Sequence, residues 1–283
     1  IVGAGEHFVV EACEYERSFL NIHPKVLVIT NIEAEHLDYY KDLADIQSAF
    51  RTLVGQTGSV VVCDPNHPAV AEVVKDASIP VIDYTSYLSR VPKLAVPGEH
   101  NRVDAAAALA VTDYIGIPVA AAADAVSKFE GTWRRLDKKG TTKNGVIVYD
   151  DYAHHPTEIR ASLQALRELY PKGEKKITVV FQPHTFSRTK AHFAEFATAF
   201  SDADAVYFLP IYFDRETTDP EISSEKLAEA VGKYVSGTRV FQTAQEAQTF
   251  LAAQNLSSND VLVTMGAGKA YEVTENLDFQ YNI

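Results

Sequence analysis

The side chains able to bind charge or move protons fall into a few short stretches. Glu11 opens one, with Glu14 and Glu16 close behind, and a second acidic stretch runs from Glu33 through Glu35, His36 and Asp38. A carboxylate and an imidazole at two strand ends suit a divalent cation that also takes phosphate oxygens, which makes Glu11 and His36 candidate metal ligands. Acidic loop tips beside a surface histidine would give the same pattern. Next come Pro97, Gly98, Glu99, His100 and Asn101, with Asp104 one turn later. Asn101 and Asp104 share a helix face and could hydrogen-bond a flat base, although an ordinary helix cap uses the same residue types. Asp150 and Asp151 end an apolar run, and His154, His155 and Pro156 open a helical one. An anion sits well at such a helix start. Paired histidines also raise zinc, but no third and fourth ligand stands at zinc spacing. The last stretch holds Gln182, Pro183, His184, Thr185 and Arg188, where Arg and His could grip a carboxylate, or merely cap a turn.

Val- and Ile-rich runs that position these groups alternate with helical patterns. Strands are predicted at residues 8–12, 25–30, 59–64 and 80–84, then at 146–149, 176–182, 205–211, 238–242 and 260–265. Helices are predicted at 43–54, 69–77, 103–115, 119–129, 157–170, 190–200, 224–235 and 245–254. Nearly all-apolar strands separated by helices imply mostly parallel sheets buried on both faces, hence an α/β fold. Residues 129–135 read as a hinge, with a strand pair at 136–139 and 145–149 behind it. The domain boundary is placed at Gly131, giving domains of residues 1–131 and 132–283. The opening Ile1-Val2-Gly3-Ala4-Gly5 runs straight into the first apolar stretch, which predicts a further segment upstream.

Composition narrows the function classes. A formal net charge of −12 argues against a basic surface that binds a phosphate backbone but not against one local positive pocket for a nucleotide. Two cysteines, Cys13 and Cys63, make no disulfide framework, and a reducing cytoplasmic setting is expected. No leader and no apolar run long enough for a membrane span are visible; residues 109–126 come nearest but are interrupted by Asp113, Gly116, Pro118 and Asp124.

Taken together and in order, these stretches resemble the Mur ligase family, in its alanine-adding branch. Glu11-Ala12-Cys13-Glu14 with the following Ser18-Phe19-Leu20 is similar to the family's EADE…SFL segment, and Thr30-Asn31-Ile32-Glu33-Ala34-Glu35-His36 to its TNIEADH. Pro97-Gly98-Glu99-His100-Asn101 matches PGxHN. The run from Asp150 to Glu158 resembles DDYxHHPTE, that from Phe181 to Arg188 resembles FQPHxxxR, and Met265-Gly266-Ala267-Gly268 matches a closing MGAG. The resemblance implies a partial central ATP-binding domain followed by a Rossmann-like, amino-acid-binding domain. It implies ATP and Mg2+ as cofactors, UDP-N-acetylmuramate and L-alanine as substrates, and no nucleic-acid or membrane partner. Carried over residue by residue, Glu11 and His36 would hold the metal. His100, Asn101 and Asp104 would lie at adenine, Arg135 rather than Arg134 at the phosphates, and Asp151 at ribose or a water. His155, His184 and Arg188 would form the amino-acid end. Cys13 and Glu35 depart from the pattern, as do Asp104, which cannot donate to an adenine ring nitrogen, and Thr185, which leaves the carboxylate more dependent on Arg188. The family's phosphate loop, G-x-x-x-x-G-K-[ST], is absent from the sequence and is expected upstream of it. A peptide-recycling ligase on the same sugar nucleotide and a non-catalytic binding module are the alternatives.

Overall fold

The apolar runs form strands of two sheets, and the inner ones, such as Val60–Cys63, Lys176–Phe181 and Asp260–Met265, are buried almost throughout while the outer ones stay partly exposed. The computed structural model describes residues 3, 5–213, 216–275, 277, 279 and 280, so Ile1, Val2 and Ala4 of the opening run lie outside the described residues. The chain divides into two units. One holds the residues up to Val91 together with Val103–Ala123; the other holds Pro92–Arg102 and the residues from Asp124 onward.

In the first unit, β1 (Val26–Ile29), β2 (Val60–Cys63) and β3 (Val81–Asp83) pair in parallel in that order. The period of two along β2 splits its side chains. Val61 and Cys63 pack toward Ile46, Leu53, Val70 and Val73 of α1 (Leu43–Gln56) and α2 (Pro68–Val74), whereas Val62 packs toward Ala107 and Ala110 of α3 (Glu99–Tyr114). Asp42 starts α1 by accepting the Asp45 N–H, and Pro68 fits the first turn of α2, where its missing N–H costs nothing. A further helix, α4 (Val119–Ser127), follows. Residues 8–12 correct the sequence expectation, for they form no strand, and Phe8 is 89% and Val9 92% exposed. An apolar run becomes a strand only where a ladder partner and a covering layer exist, and this run has neither among the described residues.

The second unit is built on β4 (Asp137–Thr142), β5 (Ile147–Asp151), α5 (Pro156–Leu169), β6 (Lys176–Phe181), α6 (Phe186–Ala191), α7 (Phe193–Ala199), β7 (Ala205–Phe208), α8 (Ser224–Val231), β8 (Gly237–Val240), α9 (Ala244–Ala252), β9 (Asp260–Met265) and β10 (Phe279–Gln280). Sheet order is β10-β4-β5-β9-β6-β7-β8, with only the β10–β4 and β4–β5 pairs antiparallel. Ile177, Val179 and Phe181 of β6 face the layer of α5, α7 and α8, while Val180 faces α9 on the other side. Phe181, Phe196, Phe200 and Phe208 fill the first layer, with ring centroids from 5.1 to 6.2 Å apart. The expected helix over 190–200 is two, starting earlier at Phe186 and breaking at His192 (φ −108°, ψ 22°). The break sets the His192 ring 4.6 Å from that of His155, a tertiary contact that local helix propensity does not register.

The carboxyl ends of the parallel strands lie level. Asp151 pairs with Met265, Met265 with Phe181, Phe181 with Phe208, and Phe208 with Val240. Gly266 leaves this row at φ +130°, and a Cβ there would stand 2.4 Å from the Gln182 carbonyl oxygen. Gly266→Ala is therefore expected to destabilise the protein by about 2 kcal/mol or more, since strain and overlap add. Gly55→Ala, in α1 with nothing within 4 Å of the new methyl, is expected to stabilise by about 0.5–1 kcal/mol. Urea unfolding of both variants measures the contrast.

Candidate functional site

In the first unit, the acidic stretches meet through Glu14 rather than Glu11. His36 Nε2 lies 3.1 Å from Glu14 Oε1, and that bond holds the Glu14 carboxyl below its ordinary value against the opposing effect of burial. The His36 backbone is left-handed (φ 54°), its ring is 4.8 Å from that of Tyr15, and the Tyr40 hydroxyl donates to the Glu14 carbonyl. Glu11 is exposed on the irregular stretch ahead of this knot, so the expected Glu11–His36 pairing at two strand ends is replaced by Glu14–His36. Sequence spacing could not separate the carboxylates, because the choice depends on residues 8–12 forming a strand. A carboxylate such as Glu14 fits Mg2+, which needs only one or two protein oxygens when phosphate and water complete its shell, whereas the His36 imidazole is a softer donor than this ion favours. Among the described residues no group of three or more His, Cys, Asp or Glu side chains is arranged to hold a metal ion.

The candidate adenine residues lie on the first turns of α3. Gly98 (φ +100°) starts the helix where a Cβ would stand 2.6 Å from the His100 ring. Asn101 Nδ2 donates to the Pro97 carbonyl at 2.6 Å and lies 3.1 Å from His100 Nε2. Asp104, one turn on, is exposed.

In the second unit, Arg134 and Arg135 part company. Arg134, left-handed at φ 55°, is 4% exposed. Its Nε donates to Asp150 Oδ2 at 2.8 Å, and its two Nη atoms donate to the carbonyls of Gly266 (2.6 Å) and Gly268 (3.3 Å). Asp150 also accepts from Thr264 Oγ1 at 2.7 Å, and the guanidinium carbon lies 5.2 Å from the Tyr152 ring centre and 4.9 Å from that of Tyr271. Arg135 is half exposed, 3.7 Å from Glu158 and over the outer face of Tyr152. Strand alternation sends Asp151 the other way. Its oxygens accept from the Ala153 N–H (2.9 Å) and the Ser162 hydroxyl (2.5 Å), so the carboxylate expected at a ribose or water is spent on α5. Burial pushes its carboxyl up to about 6, against the lowering effect of those bonds.

The candidate amino-acid end brings His154 of one motif beside His184 of another. His155 caps α5, accepting the Thr157 N–H, while Glu158 accepts the His154 and His155 N–H groups. His154 stands edge-on to His184 at 6.0 Å, and His184 stacks on Tyr212 with planes 15° apart. Arg188 Nη1 donates to the His184 carbonyl (3.1 Å) and to His184 Nδ1 (2.9 Å). A guanidinium only donates, so Nδ1 carries the lone pair and the neutral ring bears its proton on Nε2. In this arrangement His184 orients a partner by donating from Nε2 and cannot take a proton there. Tyr212 and Glu216, on the segment after β7, also join this end. No motif marked them, because their part depends on a chain crossing rather than on local sequence.

Residues 3–89 match the model of the Mur ligase middle domain, and residues 134–268 that of the Mur ligase, glutamate ligase domain. The UDP-N-acetylmuramate–L-alanine ligase of Agathobacter rectalis is 37% identical over 98% of the chain and 65% of its own length. That of Thermobifida fusca is 38% identical over 96% of the chain and 64% of its own length. The chain thus spans about two thirds of the length of these curated relatives. The UDP-N-acetylmuramate-alanine ligase structure from Thermotoga maritima superimposes with a TM-score of 0.69 at 24% identity, covering 91% of this chain and 60% of that one, which shows a shared fold.

Two measurements test the geometry. Arg134→Ala leaves Asp150 buried and unpaired and is expected to cost about 3–5 kcal/mol, whereas Arg135→Ala stays within about 0.5 kcal/mol; chemical denaturation of both decides. Asp151 makes its own pH signature. Its folded pKa, about 6, lies above the ordinary 3.8, so the folded state binds the proton more tightly. The stability this proton confers is present below about pH 4 and is lost as pH rises through about 6. Asp151→Asn is expected to lack that fall, gaining on the wild type by about 1–3 kcal/mol between pH 4 and pH 7. Parallel slopes for the two proteins would exclude the buried-carboxyl account.

Proposed function

We propose, since this chain belongs to the Mur ligase family, that it is the greater part of an ATP-dependent ligase joining L-alanine to the carboxylate of UDP-N-acetylmuramate in peptidoglycan precursor synthesis, in the bacterial cytoplasm. The observation that carries this reading is the curated relatives of one name at 37% identity along nearly the whole chain. Among the described residues no helix is long and apolar enough to cross a membrane.

In this reading the γ-phosphoryl group passes from ATP to the sugar-nucleotide carboxylate as ADP leaves, and the neutral alanine amine then displaces phosphate from the acyl phosphate, forming the amide and releasing a proton. Most of the catalysis is positioning and charge neutralisation. Bound Mg2+ would offset the repulsion between carboxylate and γ-phosphate, with His36 and Glu14 or Glu11 as its protein donors. His100, Asn101 and Asp104 serve the base, and Arg135, exposed where Arg134 is buried, serves the phosphates. Asp151, buried and bonded to the Ala153 N–H and to Ser162 of α5, fixes the turn that leads into α5. At the amino-acid end Arg188 holds the alanine carboxylate, and His184 donates toward it from Nε2. His155 sets the start of α5. The reading requires a phosphate loop, which these 283 residues do not contain, so activity belongs to a polypeptide that carries this chain together with such a loop.

Loss of one charge-assisted pair costs about 1.5–3 kcal/mol, or about 10- to 100-fold in affinity. Arg188→Ala in that polypeptide is expected to raise the KM for L-alanine by that factor and to leave the KM for ATP nearly unchanged. Steady-state kinetics with the two substrates varied separately, alongside a melting curve, decides. An unmoved alanine KM with a lowered Tm would reduce Arg188 to a helix cap, and turnover with a muramyl peptide fragment in place of alanine would favour the peptide-recycling activity.

A further inference from the structure

The turn that carries His184 and Arg188 is held in a conformation its own sequence disfavours. Thr185 has φ 67° and ψ 145°, a region that residues with a branched β-carbon avoid. Something outside the turn must hold it there, and the contacts identify the segment after β7. The Thr185 N–H donates to the Tyr212 carbonyl at 2.8 Å, and the Tyr212 N–H donates back to the Pro183 carbonyl at 2.8 Å. Four residues beyond Tyr212, the Glu216 carboxylate covers the start of α6. It accepts the Phe186 N–H at 2.8 Å, the Ser187 N–H at 3.3 Å and the Ser187 hydroxyl. Phe213 lies against Phe186 with centroids 5.6 Å apart, and Lys190 of α6 reaches forward to Asp219 (2.9 Å) and Glu221 (2.6 Å). One strap therefore grips the turn and the helix, and the same strap supplies the ring on which His184 stacks.

We propose that Glu216 is a positioning residue for the amino acid, its carboxylate holding the first turn of α6 so that Thr185 keeps its left-handed backbone and Arg188 keeps its bond to His184. This rests on the assignment of the alanine carboxylate to Arg188. The physical argument is one of linkage. Thr185 Oγ1 accepts the Arg188 N–H at 3.3 Å, so the backbone of Thr185 sets where the Arg188 side chain begins. A threonine freed from the strap relaxes toward negative φ, and Arg188 and His184 then part. A glycine at this position has no such preference, and it also removes the hydroxyl that accepts the Arg188 N–H, so the comparison is made within the glycine background, with and without Glu216.

The difference between threonine and glycine supplies the test. In the chain of residues 1–283, Glu216→Ala is expected to shift the NMR resonances of the Arg188 guanidinium and the His184 ring and to speed exchange of the Phe186 and Ser187 amides about tenfold. Glu216→Gln keeps an acceptor and is expected to fall between wild type and Glu216→Ala. In a Thr185→Gly background, Glu216→Ala is expected to shift the Arg188 and His184 resonances by less than half as much, since no strained backbone remains to be held. Resonances unmoved by Glu216→Ala, or moved equally in both backgrounds, overturn the proposal and leave Glu216 a simple cap. In the loop-bearing polypeptide the same variant is expected to raise the KM for L-alanine about tenfold with kcat and the ATP KM nearly unchanged. If the resonances move as expected while the alanine KM does not, the strap holds the turn and it is the assignment of alanine to Arg188 that fails.

Discussion

The buried cation of Arg134 organises the second unit. The Arg134 guanidinium lies between aromatic rings, with donors spent on Asp150 and on two carbonyls of the turn after β9. That turn touches Gln182 from the other side, for Gln182 Oε1 accepts the Lys269 N–H at 2.6 Å and the Gln182 N–H donates to the Met265 carbonyl. Gln182 in turn leads into Pro183, His184 and the start of α6. The hinge-side segment, the ends of β5 and β9, and the turn after β6 are thereby connected through hydrogen bonds of one side chain and its neighbours. A buried ion pair gives little net stability over a well-packed apolar pair, but it tolerates few geometries. Its value here is in fixing the relative heights of the strand ends.

The two neighbouring acids show how a strand end divides its work. Asp150 and Asp151 are consecutive, so the pleat turns them to opposite faces. Asp150 meets a permanent cation, and Asp151 meets only neutral donors and a burial that favours its proton. A run of two aspartates in the sequence thus contains one carboxylate bonded to a buried guanidinium and one group whose charge depends on pH near 6. Arg134 and Arg135 form the matching pair. The left-handed backbone at Arg134 turns one arginine inward and leaves the other beside the rim.

Much of this was legible in the sequence, for physical reasons that differ from place to place. The inner strands of both sheets were readable because burial on both faces writes a continuous apolar run, and α5 was readable from its proline, its capping glutamate and its apolar period. His154 beyond β5 and His184 beyond β6 stand 6.0 Å apart because parallel strands deliver their carboxyl ends to one rim, whereas His155 lies against His192. What failed depended on partners far along the chain. Residues 8–12 have strand composition without a strand partner, and the break at His192 accompanies a ring contact with His155. The pairing of His36 with Glu14 follows from backbone turns at Glu16 and Arg17, whose φ values of 52° and 56° no composition announces.

The strand order has a consequence for how the second unit is made. β9 is the last of the parallel strands to be synthesised, yet it lies between β5 and β6. Until residues 260–265 have left the ribosome, β5 and β6 cannot join, and α5, α7 and α8 cover a sheet with a gap along its middle. Insertion of that strand closes contacts more than a hundred residues apart, such as Thr264 with Asp150, in one late event. Non-local closure of this kind is slow and exposes two unpaired strand edges while it waits. A nascent chain stopped before β9 would therefore present to chaperones and proteases not a smaller version of the unit but a split one.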